Sequence, residues 1–211
     1  MNIFKNIFGR IWAFWGLISF FVSFLLIFLP SMVFHLMKEL AGQNYFINVS
    51  KIWMDVWLFL VGCPVRVTGK EHFKKGNAYI VVYNHNALLD VPLSAPYVPG
   101  ANKTIAKASF AKIPVFGSFY KRGSVLLDRN NEISRTKSFD LMKKVLASGI
   151  HMCIYPEGTR NRSNEPIKPC YDGAFKQAMP TKKEIIHCVI LVPNNKMTIN
   201  KTLFLNPTRL Q

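Results

Sequence analysis

A histidine with an aspartate five residues on, in the run Asn84-His85-Asn86-Ala87-Leu88-Leu89-Asp90, is the spacing in this chain with the clearest chemical content. A carboxylate on one ring nitrogen fixes the tautomer of an imidazole and supports its protonated form, leaving the other nitrogen free to take a proton from a hydroxyl. That requires the chain to turn after His85 and a helix to begin near Asp90. Taken alone, the same two residues also fit a loop histidine with satisfied hydrogen bonds and an aspartate that caps a helix. A second cluster, Tyr155-Pro156-Glu157-Gly158-Thr159-Arg160, puts one carboxylate and one guanidinium in a turn. Arginine grips phosphate oxygens as a two-pronged fork, and glycine lets backbone N–H groups approach a ligand closely.

Each cluster follows an apolar, β-branched run: Ala78–Tyr83 leads into His85, and His151–Tyr155 leads into Glu157. Further strand-like segments are VRVTG from Val65, TIAKA from Thr104, Ser124–Asp128 and Ile185–Val192, bounded by Gly, Pro, Asn or Asp. Between Ser134 and Ser148 the period lengthens. Phe139, Met142, Val145 and Leu146 fall on one helical face, and Gly149 can stop the helix. Strands alternating with helices predict an α/β domain over 61–211, with a mixed, largely parallel sheet covered by helices. Neither G-x-G-x-x-G nor G-x-x-x-x-G-K-[ST] occurs, so dinucleotide and nucleoside triphosphate cofactors have no support. Cys63, Cys153, Cys170 and Cys188 stand far apart, which suggests no metal site, and Cys153 and Cys188 read as small core residues.

Lys and Arg number 27 against 11 Asp and Glu, a formal charge of +16. Residues 1–60 hold only Lys5, Arg10, Lys38 and Lys51 against Glu39 and Asp55, so nearly all of the excess lies in the domain that follows. Its basic residues are scattered rather than grouped with aromatics, which argues against nucleic acid and for an anionic membrane surface. From Ile11 to Met37 there is no charged carboxylate, lysine or arginine, and IWAFWGLISFFVSFLLIFL, ending before Pro30, is long enough for a bilayer. Residues 1–60 are therefore read as an uncleaved N-terminal hydrophobic membrane anchor, with Trp12 and Trp15 suited to the interface. The second apolar stretch, Ile52–Val61, contains Asp55 and is too short to span; it is expected at the interface or against the domain.

N-H-x-x-x-x-D followed about seventy residues later by P-E-G-T-R resembles the glycerolipid acyltransferase superfamily, and within it the 1-acyl-glycerol-3-phosphate (lysophosphatidic acid) acyltransferases. Lys107-Ala-Ser-Phe-Ala-Lys112-Ile-Pro114-Val-Phe-Gly117, then Gly123 to Asp128-Arg129, Ile167-Lys-Pro169 with Gly173-Ala-Phe175, and Leu191-Val-Pro193 carry the likeness from about Val65 to Pro193. It implies that His85 is the general base and Asp90 its orienting partner. The acceptor hydroxyl would attack the thioester of acyl-coenzyme A or acyl carrier protein directly, with no acyl-enzyme, no metal and no cofactor. The residues agree, since the motif supplies a base but no serine or cysteine beside it.

By the same resemblance Arg129 and Arg160 hold the phosphate of a lysophospholipid acceptor, Glu157, Gly158 and Thr159 complete its pocket, and Lys107 adds charge at the rim. The product would be phosphatidic acid, made at the inner or cytoplasmic membrane with the active site on the cytoplasmic side. Ala87 and Asn161 stand where serine is common in the family, and Cys170-Tyr171-Asp172 replaces an aromatic and basic run. Another lyso-lipid, such as a lyso-amino lipid, or glycerol 3-phosphate is the alternative acceptor. A non-catalytic basic membrane-binding protein is the contrasting class.

Overall fold

The computed structural model describes residues 3–128, 130–163 and 168–191. Its centre is a five-stranded sheet of β1 (Ile80–Tyr83), β2 (Asn102–Lys107), β3 (Ser124–Leu127), β4 (His151–Ile154) and β5 (Ile185–Cys188), in the order β3-β2-β4-β1-β5. Every pairing is parallel, so the described sheet is wholly parallel rather than mixed. β1 and β4 are buried along their whole length, as their largely apolar sequences require of central strands covered on both faces. VRVTG forms no strand beyond a single bridge at Val65. Arg66, Val67 and Thr68 are exposed, and β-branched composition gives no strand where no neighbour supplies the ladder.

One face of the sheet is covered by α5 (Glu132–Ala147) and α6 (Gly173–Thr181), with Met142 and Leu146 packed on Ile80, Met152 and Ile154. Asn131 caps α5 by accepting a hydrogen bond from Ser134 N–H at 3.0 Å, and Gly149 leaves it at a φ of +83°, close to the ends expected from the sequence. The opposite face carries the short helix α3 (Asp90–Ser94), through Val91, while α4 (Phe116–Arg122) packs through Phe116 and Phe119 on the N-terminal helices.

The N-terminal segment is a helical hairpin. α1 (Ile3–Met32) continues into a 3-10 turn at Val33–Leu36, and α2 (Glu39–Leu60) returns along it. Trp57 Nε1 donates to Gly16 O at 2.9 Å, Trp53 Nε1 to Ser23 Oγ at 3.0 Å and Tyr45 OH to Pro30 O at 3.3 Å, a ladder that fixes the antiparallel pairing. The carbonyls at the end of α2, which a helix leaves without partners, accept from Trp12 Nε1 at Val61 (3.2 Å) and Trp15 Nε1 at Leu60 (3.1 Å). The stretch Ile52–Val61 is thus the second half of a 22-residue helix with its C-cap, packed on α1 and on the domain.

The hairpin and the α/β unit share one core. Phe24, Phe46 and Trp53 meet Phe119 of α4, with ring centroids 4.6 to 5.7 Å apart. Gln43, fully buried, donates to Asn102 O at 2.7 Å, and Glu39 pairs with Lys103 (2.8 Å) and Arg122 (3.1 Å). Gly42 is required at this join, because a Cβ there would lie 2.8 Å from Phe34 O and 2.9 Å from Arg122 Nη2.

Candidate active site

In a parallel sheet all strands release their chains at one edge, and ligands gather there. β1 and β4 are neighbours, which is why two motifs about seventy residues apart in sequence emerge side by side. After β1 the chain turns at Asn84, which is pinned to Ile190 by bonds of its side-chain amide to that residue's N–H (2.8 Å) and C=O (3.1 Å). It then folds back on the first turn of α3. The buried Asp90 Oδ2 accepts Asn86 N–H at 2.6 Å and Ala87 N–H at 2.8 Å, and lies 2.9 Å from His85 Nδ1. Asp90 therefore holds the loop and the imidazole at once. Nδ1 carries the proton it donates to this carboxylate, so Nε2 is the acceptor, and among the described residues it meets no partner.

The turn after β4 is latched to this loop from both sides. Glu157, 1% exposed, accepts His85 N–H on Oε1 at 2.7 Å and Lys168 N–H on Oε2 at 3.3 Å, while Asn161 N–H donates to His85 O at 2.6 Å. The Glu157 carboxylate thus accepts from two backbone amides, one of them that of His85, and is not among the residues that line the cavity described next. Gly158 adopts a φ of +70°, which the turn between Tyr155 and Thr159 needs. Above the turn lies a cavity of about 450 Å³ lined by Thr159, Arg160, Asn161, Arg162, Ser163 and Lys168, with Lys168 Nζ donating to Thr159 Oγ1 at 2.9 Å. Among the described residues three cations and no carboxylate line it, the setting of an anion site.

Lys107 ends β2 at the same sheet edge, with its side chain exposed and outside the lining of that cavity. Arg129, Ile167 and Pro193 lie outside the described residues. Arg162 and Lys168 are pocket cations that the sequence reading did not single out. Their signals were the one-residue spacing from Arg160 and the basic residue inside Ile167-Lys-Pro169. Tyr155 was also passed over; its ring lies against the His85 imidazole, centroids 4.7 Å apart. Cys153 is fully buried in β4, and burial pushes its thiol far up, so it stays protonated and is no nucleophile.

His85 Nε2 thus lies one backbone hydrogen bond away from a cation-lined cavity, an arrangement able to take a proton beside a bound anion. The chain belongs to the acyltransferase family, whose sequence pattern it matches over residues 64–192. It is 31% identical over 160 residues to the 1-acyl-sn-glycerol-3-phosphate acyltransferase of Haemophilus influenzae, covering 74% of this chain and 65% of that one. With the enzyme of the same name from Cocos nucifera it shares 27% over 135 residues, 63% of this chain and 43% of that one. The chain thus spans about half the length of the curated relatives it matches. A crystal structure of the 1-acyl-sn-glycerophosphate (LPA) acyltransferase from Thermotoga maritima shares the fold, with a TM-score of 0.74 over 98% of this chain and 83% of that one at 20% identity.

Proposed function

We propose that the chain transfers a fatty acyl group from an acyl thioester, acyl-coenzyme A or acyl carrier protein, to the free hydroxyl of 1-acyl-glycerol-3-phosphate, forming phosphatidic acid. The observation that carries this reading is the junction of dyad and pocket: Asn161, a pocket residue, donates its N–H to His85 O at 2.6 Å. A phosphate held by Arg160, Arg162 and Lys168 brings its own glycerol hydroxyl toward Nε2. His85 takes the hydroxyl proton as the oxygen attacks the thioester carbonyl, and Asp90 stabilises the imidazolium. When the tetrahedral intermediate collapses, the C–S bond breaks and the sulfur leaves with the proton from His85, giving an ester and a free thiol.

Membrane attachment through the hairpin supports the same reading, because acceptor and acyl chain both reside in lipid. α1 is apolar enough to cross a bilayer, yet α2 runs alongside it and Phe24 packs on α4, so one face is available to lipid rather than the whole circumference. That face includes Ile11, Phe14, Phe21, Leu25, Leu26 and Leu29, the last two 74% exposed. A helix of this kind lies in the leaflet with its apolar side inward. The scattered basic charge of the domain then favours anionic headgroups, and donor supply assigns the site to the cytoplasmic side.

The test is release of free thiol from palmitoyl-coenzyme A by the detergent-purified chain, with and without lysophosphatidic acid, beside His85→Ala. Release that depends on the acceptor and disappears with His85 is expected. Release that persists in His85→Ala overturns the base assignment. A preference for a lyso-amino lipid or glycerol 3-phosphate over lysophosphatidic acid overturns the acceptor.

A further inference from the structure

Tyr155 follows β4 directly, just before the P-E-G-T-R turn, and its side chain is engaged on three sides. Its ring lies against the His85 imidazole with centroids 4.7 Å apart and planes tilted by 41°. Tyr83 packs on it at 5.6 Å. Its hydroxyl is 2.6 Å from Ser94 Oγ, and Ser94 closes the same short helix that Asp90 opens. With 9% of its surface exposed, the residue has little freedom to move, and burial holds its phenol neutral by pushing it far up, so it offers no competing base.

We propose that Tyr155 is a positioning residue of the dyad: its ring braces the imidazole and stabilises the imidazolium as it forms, while its hydroxyl ties that brace to the helix carrying Asp90. A cation within about 6 Å of an aromatic centroid is attracted by the ring's quadrupole, and more strongly where water is excluded. In acting as general base, His85 gains a positive charge with the acceptor's proton. The contact therefore strengthens on the way to the transition state, which is the condition for raising kcat rather than tightening binding. Asp90 acts on the same imidazolium in the ring plane at Nδ1, and Glu157 holds only the backbone N–H of His85. The inference rests on His85 being the general base.

The experiment uses the full chain in detergent and reads kcat and KM for both substrates from thiol release. The variants are Tyr155→Phe, Tyr155→Leu and a series carrying mono-, di- and trifluorinated phenylalanine at position 155. Fluorination drains the ring's negative face while nearly keeping its shape, so the series is readable even where Tyr155→Leu does not fold. Tyr155→Phe keeps the ring and removes the tie to Ser94, so its kcat is expected to fall, but by no more than about threefold. Tyr155→Leu should lose about tenfold in kcat with both KM values nearly unchanged, and kcat should fall stepwise with each added fluorine. A flat fluorine series, or a loss confined to KM, overturns the proposal, as does a Tyr155→Phe protein as slow as Tyr155→Leu. His85→Ala separates the two levels. If it keeps acceptor-dependent release, the base assignment fails. If it is inactive while the fluorine series is flat, only the role of Tyr155 fails.

Discussion

Replacing Glu157 separates a residue that holds the dyad from one that touches substrate. Its carboxylate is buried, with Oε1 on His85 N–H at 2.7 Å and Oε2 on Lys168 N–H at 3.3 Å. In Glu157→Gln the amide oxygen can keep the shorter bond, but its NH2 then faces the Lys168 N–H. One partly buried donor loses its acceptor, at a cost of about 1–3 kcal/mol. In Glu157→Ala both donors are orphaned and the cost rises to roughly 2–6 kcal/mol before any cavity is counted. For a chain of this size each kcal/mol lowers the melting temperature by about 2–4 °C, so the glutamine variant should melt roughly 5 °C lower. His85 loses its backbone anchor in the alanine variant, and a displacement near 1 Å of a reacting group costs on the order of a hundredfold in rate. Thermal denaturation in detergent and steady-state thiol release should therefore show lower stability and lower kcat, with the acceptor KM within a few-fold. A Glu157→Gln protein of unchanged melting temperature whose acceptor KM rises about tenfold or more would refute this reasoning and return the carboxylate to the pocket.

Asp90→Asn should cut kcat by about 10³–10⁴-fold, because the amide no longer enforces the tautomer that leaves Nε2 unprotonated; retention of more than a tenth of the rate would count against the dyad. Arg160→Ala should raise the acceptor KM and leave the donor KM unchanged, measured by varying each substrate in turn, and an effect on the donor alone would reassign the pocket. Stability should also fall on mild acidification. His151 is buried, with Nδ1 accepting Tyr79 N–H at 3.0 Å and Nε2 donating to Pro99 O at 2.9 Å, and burial lowers its pKa from the ordinary 6.5. The unfolded chain then binds the extra proton first. This contribution is complete above about pH 6.5 and is lost as pH falls from there toward the depressed value of the folded state. Melting curves between pH 8 and pH 5 should show a decline that His151→Gln flattens.

The dyad was legible because it is local: five residues, one turn and an aspartate at the start of a helix were enough to bring the carboxylate to the ring. β1 and β4 were legible because their runs are largely apolar and buried on both faces. The partners of Glu157 were hidden for the opposite reason: the amides of His85 and Lys168 reach it through the adjacency of two strands that sequence order does not show. The first half of α2 was hidden by Gly42, Gln43 and Asn44, which break the apolar pattern. Gln43 is buried only because Asn102 O, 59 residues away, accepts its amide. VRVTG had the composition of a strand and lacked the neighbour.

The core that runs from Phe24 through Trp53 to Phe119 has a consequence for how the chain is made. A ribosome releases the hairpin long before it releases α4, so Phe24, Phe46 and Trp53 wait for a partner some 65 to 95 residues downstream of them in the chain. During that interval the aromatic surface that will face the domain is as bare as the exposed apolar face of α1. Synthesis beside a bilayer shelters both, and docking of Phe119 then withdraws one of them. Birth in open cytosol leaves the nascent hairpin to chaperones, and a protein expressed without residues 1–60 inherits the complementary defect, an uncovered Phe119 on an otherwise basic, soluble-looking domain.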